Sequence, residues 1–504
     1  MKFLTAVAVA AAFVFGVPAA AETLPEALAA AYEANPQLTV QRNVVRQADE
    51  GVPQALSAGR PLITATGTAQ QSGQDLSRDG GRYFQGGLNL NQSLYRGGRT
   101  RTAVTAAENR IYAARARLRA VEDSVLLAVV NAYADVLRYN AVVELNTNQV
   151  KVLGRELQAS RDRFEVGDLT RTDVAQSEAR LANSQSNLVV AQGQLSNARN
   201  AFDRVVGHPP VALAPLPPLP LLPGTVGQAV DLANANNPSL VAARFDEAAA
   251  RFDVTTIERQ RRPTLGVGAG LNYTYVQSGG GGFTSTTSSG GSTGTGSIGT
   301  GSGGSTGTGA ISSGSVSGSG GQFAQTVGLS LSVPLYQAGL AGSQIRAAQA
   351  ARSQLMEQIG FVGRQVAESA QNSFTAVATS RAVIASSESA VRANTLALEG
   401  VTQENQVGTR TVIELLNAEQ ELVVARVNLA SARRDEYVAA YTLLAAVGEA
   451  EAEPLGVPGA RYDATTNARR VRGKWNDYDS DANPDPLPRP DPVSASRSVA
   501  IGPR

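Results

Sequence analysis

The chain has 504 residues, of which 42% are apolar, 5% aromatic and 17% charged, and its 44 basic and 43 acidic side chains leave a formal net charge of +1. That balance gives no electrostatic footprint for nucleic acid or for an anionic surface. There is no cysteine, which excludes disulfides, thiolate metal sites and a cysteine nucleophile; the 50 glycines are the other oddity and have to be located before they mean anything.

At the start, Lys2 precedes an apolar or small run from Leu4 to Val17, then Pro18 and Ala19-Ala20-Ala21 before Glu22. This pattern predicts a signal peptide over residues 1–21. The run is shorter than the ~18 apolar residues of a membrane anchor. No cysteine follows that could carry a lipid, and no later run is long enough for a spanning helix. The exported chain is therefore expected either to stay in the periplasm or to cross a membrane as β-strands.

The next segment is written twice. Leu24, Ala27, Leu28, Ala31, Asn35-Pro36 and Leu38 recur as Val226, Ala229, Val230, Ala233, Asn237-Pro238 and Leu240, at an offset of 202. From Leu94-Tyr95-x-x-Gly98, matched by Leu335-Tyr336-x-x-Gly339, the offset is 241 and holds without a gap to Val206-Gly207 and Val447-Gly448. Such register over so many residues predicts a tandem duplication. The change of offset places a net insertion in the second copy, the Gly/Ser/Thr segment 278–321, which holds 18 of the glycines. Its composition cannot bury a core. The Gly294-x-Gly296-x-x-Gly299 inside it has no strand before it or helix after it, so it carries no dinucleotide reading.

Between the short and long helices of each copy the pattern has a period of two. Leu265, Val267, Ala269, Leu271, Tyr273 and Tyr275 alternate with glycine or polar residues, as do Val327, Leu329, Leu331, Val333 and Leu335, and Phe84, Gly86, Leu88 and Leu90. Strands of about 10 residues with one apolar face fit a transmembrane barrel, or a soluble hairpin with one buried face. Four strands cannot close a barrel, and open edges are not tolerated in lipid, so a barrel would be shared between protomers. From Arg99 to about Phe164 the residues are helix formers without proline, roughly 100 Å of helix. A second helix is expected to end near Val206, with large Val174, Leu181, Leu188, Leu195 and Phe202 on one seam and small Ser177, Ser184, Ala191 and Ala198 on the other. The second copy repeats this, broken at Glu436. Val166-Gly167 and Val407-Gly408 then mark the hairpin tips.

The expected layout is a signal peptide 1–21, a first repeat 22–207, a Pro-rich linker 208–223, a second repeat 224–448 and a disordered tail 449–504 rich in Pro, Asp, Arg and Ser. His208 in the linker is the only histidine, better read as a hinge residue than as a lone general base. With no nucleophile motif, P-loop or metal-ligand cluster, nothing points to an enzyme or to a cofactor.

These features together, over about residues 22 to 448, resemble the TolC-like outer-membrane exit ducts of efflux pumps and type I secretion systems. The most specific stretch is Val407-Gly408-Thr409-Arg410-Thr411-Val412-Ile413-Glu414-Leu415-Leu416-Asn417-Ala418, which looks like the family's tip motif. The resemblance implies a mixed fold: a membrane β-barrel of 12 strands closed by a homotrimer, four strands per protomer, above a 12-helix coiled-coil tunnel in the periplasm. It implies a periplasmic adaptor and an inner-membrane pump or ABC transporter as partners, and outer-membrane lipid around the barrel. It also implies that Glu414 rings the pore constriction, with Asn417 standing where the family has a second acid. Arg410 matches a latch arginine whose partners correspond to Thr172 and Asp173 on the other hairpin, and Asn405 holds the place of a latch tyrosine. The competing reading is a soluble periplasmic coiled-coil scaffold or adaptor, which would share the helical hairpins without needing the strands.

Overall fold

The computed structural model describes residues 21–72, 81–277, 320–459 and 461–482. The predicted signal peptide and nearly all of the Gly/Ser/Thr insertion lie outside the described residues. In the first copy, helices α1 (Leu24–Ala34), α2 (Pro36–Asp49) and α3 (Gly51–Ser57) lead to strands β1 (Leu62–Ser72) and β2 (Gly81–Tyr95), then to the long helix α4 (Arg99–Glu165) and its partner α5 (Arg171–Val206). The second copy gives α6 (Val226–Asn236), α7 (Pro238–Glu258), β3 (Thr264–Gln277), β4 (Gly320–Ser332), α8 (Leu340–Gln406) and α9 (Val412–Val447). A last short helix, α10 (Thr466–Arg472), follows. The boundaries of α8 and α9 are those of α4 and α5 shifted by 241 at both ends, so the repeat seen in the sequence is a repeat of elements. Among the described residues no helix is long and apolar enough to cross a membrane.

The four strands form one antiparallel sheet in the order β1-β2-β3-β4. Its register turns the alternation of each strand into a common face. Ile63 lies opposite Leu90, Ala65 opposite Leu88 and Ala69 opposite Phe84; Leu88 lies opposite Leu271, and Val267 opposite Leu329. The other face carries Thr64, Thr66, Asn89, Asn91, Asn272 and Thr326. A one-residue slip would exchange the two faces. No other described residue covers the apolar one: Leu88, Leu271, Val327 and Leu329 are all exposed. The outer edges of β1 and β4 are unpaired among the described residues.

Each strand pair feeds a 67-residue helix through a left-handed glycine, Gly98 at φ +80° and Gly339 at φ +81°. This conformation costs a residue with a Cβ about 1–2 kcal/mol, which accounts for the Leu-Tyr-x-x-Gly strand ends. At 1.5 Å per residue each helix is about 100 Å long. Beside α4 run α5 and, beyond it, α2, and the joint between those two explains the Asn-Pro pairs. The Asn35 Oδ1 accepts from Gln37 N–H at 2.9 Å, capping α2, while its Nδ2 donates to the Val205 carbonyl at the end of α5, 3.0 Å away. In the second copy Asn237 accepts from Ser239 N–H and donates to the Ala446 carbonyl, both at 3.0 Å. One side chain thus satisfies orphan groups of two helices and fuses them into one column. Asn35→Ala loses a cap and leaves a buried carbonyl bare, an expected loss of about 2 kcal/mol, to be read as a lower thermal midpoint by circular dichroism. Asn43→Ala, on the exposed side of α2, serves as the control.

The small seam of α5 is the tighter one, as the coiled-coil pattern predicts. Ser177, Ser184, Ala191 and Ala198 are buried, while Val174, Leu181 and Leu188 are half-buried. Glu436, which breaks the seam of α9, is paired with Arg381 of α8 at 3.1 Å. The main core lies at mid-length, where Leu24, Leu28 and Leu38 pack with Val129, Val130 and Tyr133 of α4 and Phe202 of α5. The Pro-rich linker adds Leu213, Leu216, Leu219 and Leu222 to it, and the Tyr133 hydroxyl donates to the Ala214 carbonyl at 2.7 Å.

The tail departs from the expectation of disorder from residue 449. As far as residue 482 it packs along α4 and α2, apart from residue 460, which lies outside the described residues. Ala450, Ala452 and Val457 join the core; Arg119 pairs with Glu451 at 2.5 Å; Asn467 donates to the buried Asp49 at 2.8 Å. Part of the polar composition that suggested disorder is matched by partners on the helices and part by partners within the tail itself, which an average over the segment does not reveal. Residues 483–504 lie outside the described residues.

Candidate functional site

The site singled out by sequence is the end of the two helical hairpins farthest from the sheet. On the second hairpin, α8 stops at Val407, Gly408 takes φ +80°, and Thr411 caps α9. Thr411 Oγ1 accepts from the Glu414 N–H while Glu414 reaches back to the Thr411 N–H at 2.9 Å, a capping box. The first hairpin is built the same way: Val166 ends α4, Gly167 has φ +84°, and Thr170 and Asp173 form the box. Val166 and Val407 are 81% and 75% exposed, so each tip presents an apolar side chain that no described residue covers.

Arg410 sits between two carboxylates of its own hairpin, 2.7 Å from Glu404 and 2.9 Å from Glu414. Asn405, nearly buried, donates from Nδ2 to the Arg410 carbonyl at 2.9 Å and so braces the turn that presents the guanidinium. The bond from the Thr411 N–H, then Arg410 itself, hold the Glu414 carboxyl below the usual carboxylate range, and the two acids raise Arg410. The bonds from Thr170 likewise lower Asp173.

The structure does not join Arg410 to Thr172 or Asp173 within the chain. Its hydrogen bonds stay on its own hairpin, because Glu404 and Glu414 lie closer; Thr172 is exposed and Asp173 is engaged by its cap. The link that does cross between hairpins is one that sequence reasoning missed: Arg180 of α5 donates to Asn417 Oδ1 at 2.7 Å. Asn417, expected only as a weakened member of a charged ring, is thus tied to the other hairpin. Beneath it, Leu153, Val412 and Leu416 form an apolar contact with Leu169 and Leu181. Leu169 is the repeat counterpart of Arg410, 241 positions earlier. The duplicated tips have diverged into one apolar and one charged, and the apolar one docks under the other. A signal was present in the sequence: a leucine where its copy has an arginine.

The geometry is that of a long helical conduit ending in charged tips below an amphipathic sheet, and comparison with known proteins decides its family. The sequence profile of the family described as "Outer membrane efflux protein" matches residues 27–208 and again residues 229–449, once per repeat. The chain belongs to the outer membrane efflux protein family. It is 30% identical over 460 residues to the outer membrane efflux protein BepC of Brucella suis biovar 1, covering 91% of this chain and 92% of that one. With the outer membrane protein TolC of Vibrio cholerae it shares 26% identity over 436 residues, 85% of this chain and 91% of the relative. The crystal structure of the Vibrio cholerae outer membrane protein VceC superposes with a TM-score of 0.65 at 21% identity, over 84% of this chain and 96% of the other, which shows the shared fold. As a member of the outer membrane efflux family, the chain is a transport protein of the outer membrane with its helices in the periplasm.

Proposed function

We propose that three copies of this chain close one 12-stranded barrel and continue below it as a 12-helix tunnel, forming the exit duct of a tripartite efflux pump or a type I secretion system. The observation that carries the reading is the four-stranded sheet with one mostly apolar face, interrupted by Gln92 and Gln325, and two edges that pair with no other described strand, continuous with helices of 67 residues. Antiparallel order is preserved if β4 of one copy meets β1 of the next. The repeat supplies a second support. Helix α4 buries 23 residues and its copy α8 only seven, because α7 packs between α4 and α8 whereas α2, of the two long helices, touches only α4. Val40 of α2 is 62% exposed, while its counterpart in α7, Ala242, is 4% exposed. Met356 and Phe361 stand exposed on α8. Seating α2 of one protomer on α8 of the next would cover both faces.

At the tip, threefold symmetry would bring three Glu414 side chains around the axis, with Asn417 in place of a second acid and Arg410 neutralising part of the charge. The exposed Val166 and Val407, with Gly167 and Gly408, would meet the periplasmic adaptor that couples the duct to an inner-membrane pump or ABC transporter. A carboxylate ring of this kind favours cations. In planar bilayers Glu414→Ala is expected to lower cation selectivity, and a reversal potential equal to that of the native channel would remove Glu414 from the constriction. Since Glu414 lies below the usual carboxylate range, its charge and its cap are fully present above that range. They fade only as pH falls through the lowered value. The native selectivity should therefore survive acidification into the range where free carboxylates titrate.

A further inference from the structure

The tail ends in a place its composition does not suggest. Arg60 lies two residues before β1, and its guanidinium stacks over the Trp475 ring at 4.9 Å while its Nη1 donates to the Lys474 carbonyl at 2.6 Å. Gly59, beside it, accepts from Gln92 of β2 at 2.7 Å. Leu62 pairs with Asn91, so this is the row at which the sheet begins. From that row β1 runs 11 residues, the length that crosses an outer membrane at a barrel tilt. Trp475 is thus held at the periplasmic rim of the strands, 67% exposed, with Tyr478 at 94%. Tyr95 and Tyr336, at the ends of β2 and just past β4, are exposed at the same end.

The charges of the segment are largely consumed within it. Arg470 pairs with Asp481 at 2.6 Å, Lys474 with Asp479 at 3.1 Å and Arg472 with Glu108 of α4 at 2.9 Å. Beside the exposed Arg469 and Asp477, the segment offers outward an indole and a phenol. Those are the side chains that favour the headgroup level of a bilayer, where an apolar ring and a polar edge are both satisfied. Next to them a cleft of about 620 Å³ has Leu94 and Tyr95 on the strand side and, on the helix side, Arg96, Arg101 and the ion pair of Arg472 with Glu108. Its polarity runs in the same order as that of a phospholipid, acyl chain toward the strands and phosphate toward the helices.

We infer that residues 466–482 are an interfacial anchor: the tail climbs the outside of the tunnel to place Trp475 and Tyr478 among the phospholipid headgroups of the periplasmic leaflet, fixing the height of the barrel in the membrane. This rests on the barrel reading of the sheet, and the test separates the two. Trp475 is the only tryptophan of the chain, so the fluorescence of the native full-length protein reports on this position alone. In phosphatidylcholine vesicles with acyl chains brominated near the headgroup end, emission is expected to fall strongly and to lie to the blue of free indole, with little quenching by aqueous iodide. Quenching by iodide without quenching by bromine would overturn the anchor, and so would protection from both, which would place the ring in a protein interface. A second protein, Trp475→Phe with Leu329→Trp, moves the reporter to the apolar face of β4. If this reporter is quenched by bromines and Trp475 is not, the anchor fails and the barrel stands; if neither is quenched, the barrel reading fails first.

Discussion

Leu88→Arg is expected to abolish the assembled channel, while Asn89→Arg, one residue along the same strand, leaves it in place. Leu88 is at the middle of β2, between Ala65 and Leu271 on the apolar face, and no other described residue covers it. In a soluble scaffold an arginine on an uncovered face would cost little. In a barrel it must enter the bilayer, at about 2–4 kcal/mol near the midplane. Threefold symmetry multiplies this to about 6–12 kcal/mol per assembly, a large part of the stability of an ordinary domain. Asn89 lies on the polar face, which in a closed barrel lines the lumen, where an arginine stays hydrated. The assay is the heat-resistant oligomer in detergent extracts of outer membrane. Equal tolerance of both substitutions would favour the soluble reading.

The second large effect is expected at the tips. Arg410→Ala removes the cation shared by Glu404 and Glu414 and leaves two carboxylates facing each other at the turn; Arg180→Ala removes the polar bond that joins the hairpins at Asn417. Each change should raise single-channel conductance in a planar bilayer several-fold, the Arg410 change also making the channel more cation-selective because a positive charge is lost. All these groups are exposed, so the individual bonds are weak; the effect comes from repeating them around an axis at the narrowest place. Conductance unchanged in both variants would show that the tips are not what holds the channel closed.

Much of this architecture can be read from the residues, for physical reasons that differ by element. The helix ends are legible because proline, left-handed glycine and Ser/Thr-x-x-acid each have one local cause, and all four boundaries of α4 and α8 fall within two residues of a left-handed glycine. The strands are legible from alternation, although the structure was needed to show that the register gathers four alternations onto one face. Asn35 and Asn237 read from sequence as helix starts; that each also closes the far end of α5 or α9 depends on a contact across some 170 or 209 residues, which no local pattern encodes.

The tips were legible as turns and less so as a gate. Motif matching placed Thr172 and Asp173 opposite Arg410, but within one chain the nearer Glu404 and Glu414 take the guanidinium. The Arg180–Asn417 bond was hidden because its partners lie 237 residues apart on helices whose relative rotation is set by the leucine cluster beneath them. The tail was misread for a related reason. Its polar residues are complements of particular groups on α2 and α4, and complementarity is a property of pairs.

The central claim is that three chains close one barrel, and the chain's lack of cysteine allows a direct test. Ile63→Cys on the β1 edge strand, combined in turn with Leu329→Cys and Leu331→Cys on β4, introduces thiols on the same face of the two unpaired edges. Within one chain these strands are three spacings apart, about 14 Å at ~4.8 Å each, beyond the ~7 Å reach of a disulfide. Between neighbouring protomers of a closed barrel they adjoin. Mild oxidation of the protein in native outer membranes should give, for at least one pair, a covalent trimer and no larger species on reducing-agent-free denaturing gels. Monomers alone for every pair, or a ladder running past the trimer, would contradict the closed three-chain barrel.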